Sequence, residues 1–426
     1  MERLVVFALL FHAGEAFSPS RRVRSSPSSA LNGAPKRLSD NVDGPLYVNE
    51  KCINCAACAH FAPDVFGRAP ADGHHLVHHQ PSSSDAQQLD RARAALQACP
   101  VAAIRVENTA KLNHASKVAG GDGASLSAED EKVAKSLALN PKINGLDMPF
   151  PRPVLPDFDT GVYFLGSHNE ASFGATPYLV RGRDESGNVV SVMVDTPKFT
   201  PAALRAVQSL TGDGGPDYLF LTHVDDTAHH MKWSEEFPET LRRIFHSGDL
   251  GVNNWIGDAT LEDVEVLLEG TSDVKNAKWM AWTLDGSVVD NISFEGGWPE
   301  QVKGDFIILH TPGHSNGSIS LLYRNDSSGI GVIFTGDSYA YTTRRGGRMT
   351  GFSQYAKDGM GTQTKMLRMV SDMSGLYDLV APGHGHIRSY VGMEKEGVEV
   401  ETMKKEDINE AVQELAGGRS VYQVSN

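Results

Sequence analysis

Thr222-His223-Val224-Asp225-Asp226-Thr227-Ala228-His229-His230 follows the apolar run Tyr218 to Leu221, and three more clusters repeat that arrangement downstream. His310-Thr311-Pro312-Gly313-His314 follows Phe306 to Leu309, Thr335-Gly336-Asp337 follows Gly331 to Phe334, and Pro382-Gly383-His384-Gly385-His386 follows Leu379-Val380. Short apolar runs of this kind read as buried strands. Imidazoles and carboxylates at the ends of separate strands can converge on one point, which builds a metal site without a local binding loop. Glycines beside His314, Asp337 and His384 allow tight turns and close backbone approach there.

The donor types suit one or two divalent first-row ions, zinc or iron. Asp337 is the expected bridge between two ions, and a bound ion lowers the pKa of its water from about 15.7 toward roughly 7.

Residues from about Asp157 to Arg388 resemble a metallo-β-lactamase-fold domain. That resemblance implies an αββα sandwich with metals along one edge of the paired sheets. Val162 to Leu165 and Pro177 to Arg181 match its first strands, and Val192 to Thr196 matches the strand ending in a supporting aspartate, here Asp195. His314, Asp337 and His384 fall on its later motif positions. The second motif departs from the usual His-x-His-x-Asp-His, because this chain has His-x-Asp-Asp-x-x-His-His. The resemblance therefore implies His223, Asp225 and His314 around one ion, and His230, Asp337 and His384 around the other. Asp226 and His229 are reserve donors, and Asp226 joins Asp337 as a candidate catalytic carboxylate. A carboxylate in place of an imidazole hardens the first site, which suits iron or manganese.

All four cysteines lie upstream, as Cys52-x-x-Cys55-x-x-Cys58 and Cys99-Pro100. Three thiolates in one loop and a distant fourth before proline match bacterial-type ferredoxin ligation. One such set implies one [4Fe–4S] cluster, and residues from about Leu46 to Glu107 resemble a single-cluster ferredoxin domain. A structural zinc site is the alternative. No disulfide framework is expected, because every cysteine is assigned.

Leu4 to Leu10 is an apolar stretch behind Arg3, suited to a signal-peptide core and too short to span a bilayer. It ends at Gly14-Glu15-Ala16-Phe17-Ser18-Pro19, and no acidic residue follows until Asp40. The tandem resembles the bipartite presequence of algae with secondary plastids and implies a plastid location; secretion is the alternative. Without residues 1–39 the chain keeps 33 basic against 51 acidic side chains, a net charge near −18. Such a surface repels nucleic acid and anionic lipid, and no later segment reads as a membrane span. A small-molecule substrate and a plastid redox partner for the cluster are the expected partners.

The expected organisation is α+β: a presequence at 1–39, a ferredoxin-like domain at 45–109, a linker at 110–151, the sandwich at 152–400 and a C-terminal tail or helix at 401–426. Ser127-Ala128-Glu129-Asp130 reads as an N-cap with an acidic first turn, so a short linker helix runs to about Leu139. A helix is expected over Trp233 to Ile244. His74-His75 and His78-His79 read as a solvated hairpin, and His246 as structural. His310 reads as either structural or a support for a ligand, and His386 as a neighbour of one. Arg344, Arg345 and Arg348 read as an ordinary basic loop near the expected substrate mouth, with a hold on an anionic substrate as the alternative.

Three functions are open at this level. Hydrolysis comes first, by metal-bound hydroxide on an ester or thioester; the spacing of 23 from His314 to Asp337 resembles that of hydroxyacylglutathione hydrolase-like members. Second is iron-dependent oxidoreduction of oxygen, nitric oxide or persulfide, fed by the ferredoxin domain. Third is a redox sensor with little turnover. The whole architecture resembles the ferredoxin–metallo-β-lactamase fusion proteins of plant and algal plastids.

Overall fold

The computed structural model describes residues 35–70, 73–107, 127–344, 347–356, 359–393 and 399–417. Residues 1–34 of the expected presequence, residues 110–126 of the linker and Arg345 lie outside them. Lys36–Asn426 forms one compact unit.

In the ferredoxin-like region, Leu46–Val48 pairs antiparallel with Ile104–Val106, and Phe66–Arg68 forms a hairpin with His75–Val77. The helices Ala57–Phe61 and Ala86–Ala98 close over Leu46, Val48, Phe66 and Val77, all fully buried. The hairpin is less solvated than its four histidines suggest, because His75 is 3 % exposed and only His78 and His79 face out. Four residues of the expected presequence also belong here: Leu38 N–H donates to Val48 O at 3.1 Å, and Glu50 N–H to Lys36 O at 3.0 Å.

Two sheets follow. One holds Val266–Leu268, Arg242–His246, Tyr218–Phe220, Val189–Val194, Tyr178–Arg183, Val162–Phe164 and Arg152–Pro153, in that spatial order. The other holds Ala281–Trp282, Phe306–His310, Ile319–Arg324, Gly331–Gly336, Leu379–Pro382 and Arg388–Ser389. Strand side chains alternate between faces. Val192 and Val194 therefore meet Ile308 and Phe334 between the sheets, while Met193 points outward to Ala203 and Val207 of the helix Pro201–Thr211. On the opposite outer face, Ile307 and Leu309 pack with Met366 and Val370 of the helix Met360–Asp372 and Ile408 and Val412 of the helix Val400–Ala416. The layers are αββα, as expected. The last helix, one of the two forms expected for the C-terminal segment, is part of an outer layer.

The linker helix forms at Ala128–Ser136, with Ser127 and Asp130 in a capping box. Trp233 to Ile244 is not one helix. The helix His230–Glu236 stops before Phe237-Pro238, since the residue before proline disfavours helical geometry, and Arg242–His246 is a strand. Among the described residues no helix is long and apolar enough to cross a membrane.

Candidate metal centre

His223, His314, Asp337 and His384 each stand just beyond a strand end, on one edge of the sandwich. His223 is fixed from behind. Its Nδ1 lies 3.0 Å from Thr222 Oγ1, which donates to Asp195 Oδ1 at 3.0 Å. That chain puts the proton on Nδ1 and leaves Nε2, buried and without a hydrogen-bond partner, as a donor to a cation. Burial, then the neighbouring His314, lowers the His223 pKa to about 4, so the ring is neutral as a ligand must be. Burial likewise pushes Asp195 up to about 7.

His314 meets His223 edge to face, with centroids 4.7 Å apart. Asp225 Oδ2 is 3.8 Å from His223 Nε2 and 3.7 Å from His314 Nε2. The Trp255 indole N–H donates to Asp225 Oδ1 at 2.6 Å and turns the carboxylate inward. Burial would raise the Asp225 pKa, but His314, His223 and the indole hold it below the usual carboxylate value.

Asp337 faces both ways. Its Oδ2 lies 3.8 Å from His314 Nε2 and 4.0 Å from His223 Nε2, while Oδ1 lies 2.9 Å from His384 Nδ1. Burial works against ionisation of Asp337, yet His384, His314 and His223 hold it well below the ordinary range. Burial would lower His384, but Asp337 and Asp226 raise it to about 10. Asp226 is fully buried, 3.9 Å from His384 Nδ1, and burial raises its pKa well above normal. Gly383 has no room for a side chain: a Cβ would lie 2.7 Å from Asp226 Oδ2 and 3.2 Å from Asp337 Oδ1.

Two donor sets therefore share Asp337: His223, Asp225 and His314 on one side, Asp226 and His384 on the other. Both oxygens of Asp226, both ring nitrogens of His314 and Nε2 of His223 and His384 are buried without partners. Buried polar atoms are normally satisfied, so this concentration fits cations of about the expected size and donor preference.

His230 is not in this cluster, which corrects its expected place. Its Nε2 donates to Asp258 at 3.1 Å, and its Nδ1 faces the Arg243 guanidinium at 3.2 Å. Both nitrogens are committed, so Asp226 occupies the position expected for His230. His229 also stays outside, its Nδ1 accepting Phe199 N–H at 3.0 Å. His310 supports no candidate ligand directly: Ser272 N–H donates to its Nδ1, its Nε2 reaches Asn316 O, and its ring stacks on His246. Asp249, which no sequence pattern marked, braces the site. It accepts Val224 N–H at 3.0 Å, Ser315 Oγ–H at 2.7 Å and Gly317 N–H at 2.6 Å, tying the loops of His223 and His314 together.

The four cysteines, none in a disulfide, surround one apolar cavity walled by Val48, Ile53 and Ile104. Burial pushes Cys55 up to about 12 and Cys58 well above its usual value, with the other cysteines adding to the rise. Four crowded buried sulfurs of this kind become thiolates only against a strong compensating charge, which an iron–sulfur cluster supplies.

Residues 48–106 match the 4Fe-4S single cluster domain of Ferredoxin I. No curated protein matches the sequence. Among solved structures, the chain is similar to LRA-12, a class B3 di-zinc metallo-β-lactamase from an Alaskan soil metagenome, at 15 % identity over 63 % of this chain and 94 % of that one, TM-score 0.34. BJP-1, a subclass B3 metallo-β-lactamase of Bradyrhizobium japonicum, gives 15 % identity over 63 % and 95 %, TM-score 0.33. VMB-1 gives 12 % over 56 % and 93 %, TM-score 0.33. At such scores the likeness carries no weight for activity, and the αββα assignment stands on the sheet order and packing above.

The ferredoxin-like domain lies against the metal centre. Gly174, at φ 88°, packs on Cys55; a Cβ there would lie 2.8 Å from Cys55 Cβ and 3.1 Å from its Sγ. Two residues on, Thr176 N–H donates to Gly383 O at 2.7 Å, next to His384. From the other side, His60 Nδ1 meets His386 Nδ1 at 3.2 Å, their rings stacked with centroids 5.2 Å apart. His60 is two residues from Cys58, and His386 two from His384.

Proposed function

We propose that this chain is an iron-dependent oxidoreductase whose ferredoxin-like domain exchanges electrons with the centre at His223, Asp225, Asp226, His314, Asp337 and His384. The observation that carries the reading is the contact of the cysteine loop with the strap Gly174–Thr176, one hydrogen bond from the backbone beside His384. A hydrolytic centre has no need of a redox group there. Iron held by these donors would supply a one-electron couple and an open position for a small substrate. The protein's own groups hold and orient: Thr222 and Asp195 fix the His223 tautomer, Trp255 aims Asp225, and Asp249 locks the two ligand loops. Three carboxylates among the donors suit iron better than a set made only of imidazoles.

Hydrolysis, first on the sequence, is the second reading. It is favoured by the position of Asp337 between two donor sets, which suits a pair of ions activating water between them.

Metal analysis of anaerobically purified protein separates the two. A Cys52→Ala/Cys99→Ala chain should lose the cluster yet keep about two irons, and the intact protein should consume oxygen, nitric oxide or a persulfide in a cluster-dependent way. Zinc in the centre, with thioester cleavage indifferent to cluster loss, would overturn the oxidoreductase reading.

A further inference from the structure

The segment 166–176 has two faces with different neighbours. On one, Gly174 closes over Cys55 and Pro100 of the cysteine loops, leaving no space for a methyl group. On the other, Thr176 is bonded to Gly383, the residue fitted between Asp226 and Asp337. Inside the segment, His168 Nδ1 is tied to Gly174 O at 2.9 Å, and the His168 ring packs edge-on to Phe61. Phe61 ends the short helix that carries Cys58 and His60, and it also meets Phe150 at the end of the linker and Phe164 of the sandwich at 5.2 and 5.1 Å. The His60–His386 contact makes a second tie. The cysteine cavity is lined by residues 48–104, and Gly174 of the sandwich backs Cys55 and Pro100 from outside it.

We propose that the segment 166–176 is a wall between the cysteine loops and the metal centre, and that it links the two thermodynamically: cation occupancy of the centre favours the reduced cluster, and reduction tightens cation binding. The physical reason is charge. Reduction would add one negative charge on the Cys55 side of Gly174, and a dication held by Asp226, Asp337 and His384 would lie on the other side of the buried segment that carries His168 and Thr176. Such charges interact far more strongly than they would through water. Linkage is reciprocal, so one coupling factor governs both effects. It concerns only the residues between the sites and holds whichever reaction the centre performs.

The test uses the full chain with its cluster intact and its centre either stripped or loaded with zinc, which neither gains nor loses electrons. The midpoint potential of the cluster is read from the EPR signal of its reduced form in a mediated titration. Zinc is expected to raise the midpoint by about 59 mV, a tenfold coupling for one electron. Zinc affinity measured with the cluster oxidised and then reduced must show the same factor. Gly174→Ala, which forces Cys55 off the wall, should cut the coupling to below about threefold. If that chain assembles no cluster, His386→Phe, which removes the second tie, carries the same expectation. A midpoint unmoved by zinc overturns the proposal, as does full coupling in the assembled variant. Failure of the oxidoreductase reading shows separately, in metal content and cluster-dependent turnover.

Discussion

Trp255 is about half exposed, yet its indole N–H is bonded to the carboxylate that stands where an imidazole is expected. Removing that bond frees Asp225 to rotate outward while leaving the core untouched. Partners that orient a metal ligand are usually worth 10–100-fold in affinity. Trp255→Phe should therefore weaken cation binding about tenfold, read by competition with a chromophoric chelator, at unchanged melting temperature. His230→Ala should do the reverse. It strips a fully committed buried imidazole from Asp258 and leaves Arg243 less satisfied, costing about 2–4 kcal/mol in denaturant unfolding while metal stoichiometry holds. The pair also shows why the strand-end histidines and Asp337 were legible and His230 was not. A ligand at a strand end inherits its direction from the strand. Between His223 and His230 the chain makes a 3₁₀ turn at Val224–Asp226 and turns left-handed at His229, φ 72°, so the facing of each side chain depends on turns that no periodicity encodes.

Helix Val400–Ala416 shows the same limit for an element. Seven of its 17 residues are charged, so its sequence does not say whether it packs, and two of the charges are buried for cause. Lys404 Nζ reaches Ser374 O at 3.0 Å and Asp378 at 3.3 Å. Glu414 accepts from Thr350 Oγ1, Gly351 N–H and the Ser353 hydroxyl, the last at 2.6 Å. A charged pattern cannot announce that partners far away in the sequence will satisfy it. Glu414→Ala strands several buried donors at once and should cost about 3 kcal/mol, seen as a lowered thermal midpoint with metal and cluster contents unchanged. Glu414→Gln, which keeps an accepting oxygen, should recover part of that loss. Strands fared better in the reading than helices, because buried sheet strands are continuous apolar runs and their neighbours need not be known.

At the scale of the whole molecule, the sequence reads as two domains on a linker, whereas the described residues share one continuous hydrophobic core from Leu46 through Phe61 and Phe164 to Phe334. Arg152 bonded to Asp90 at 2.9 Å and Arg93 to Asp147 O at 2.6 Å pin the same boundary. Nothing in either domain's own pattern marks Phe61 as a shared side chain, since its burial is that of any core aromatic. A shared core predicts shared unfolding. Bleaching of cluster absorbance and loss of sandwich circular dichroism should coincide in one thermal transition, and two separated transitions would show the domains to be independent. Acid should move that transition as a unit, because each half buries a neutral imidazole. Burial lowers the pKa of His75 to about 3 and of His310 to about 4. In the unfolded chain both titrate near 6.5. Between those values the unfolded chain takes up protons that the folded one refuses, so stability is flat with respect to these groups above about pH 6.5 and falls as the pH drops toward 4. The buried Asp195 carboxyl, pushed up to about 7, opposes them by taking a proton in the folded state. Replacing His310 with Asn removes one group from the sum. The slope of unfolding free energy between pH 4 and 6.5 should then be shallower by about one proton, and an unchanged slope would mean that His310 is charged inside the folded chain.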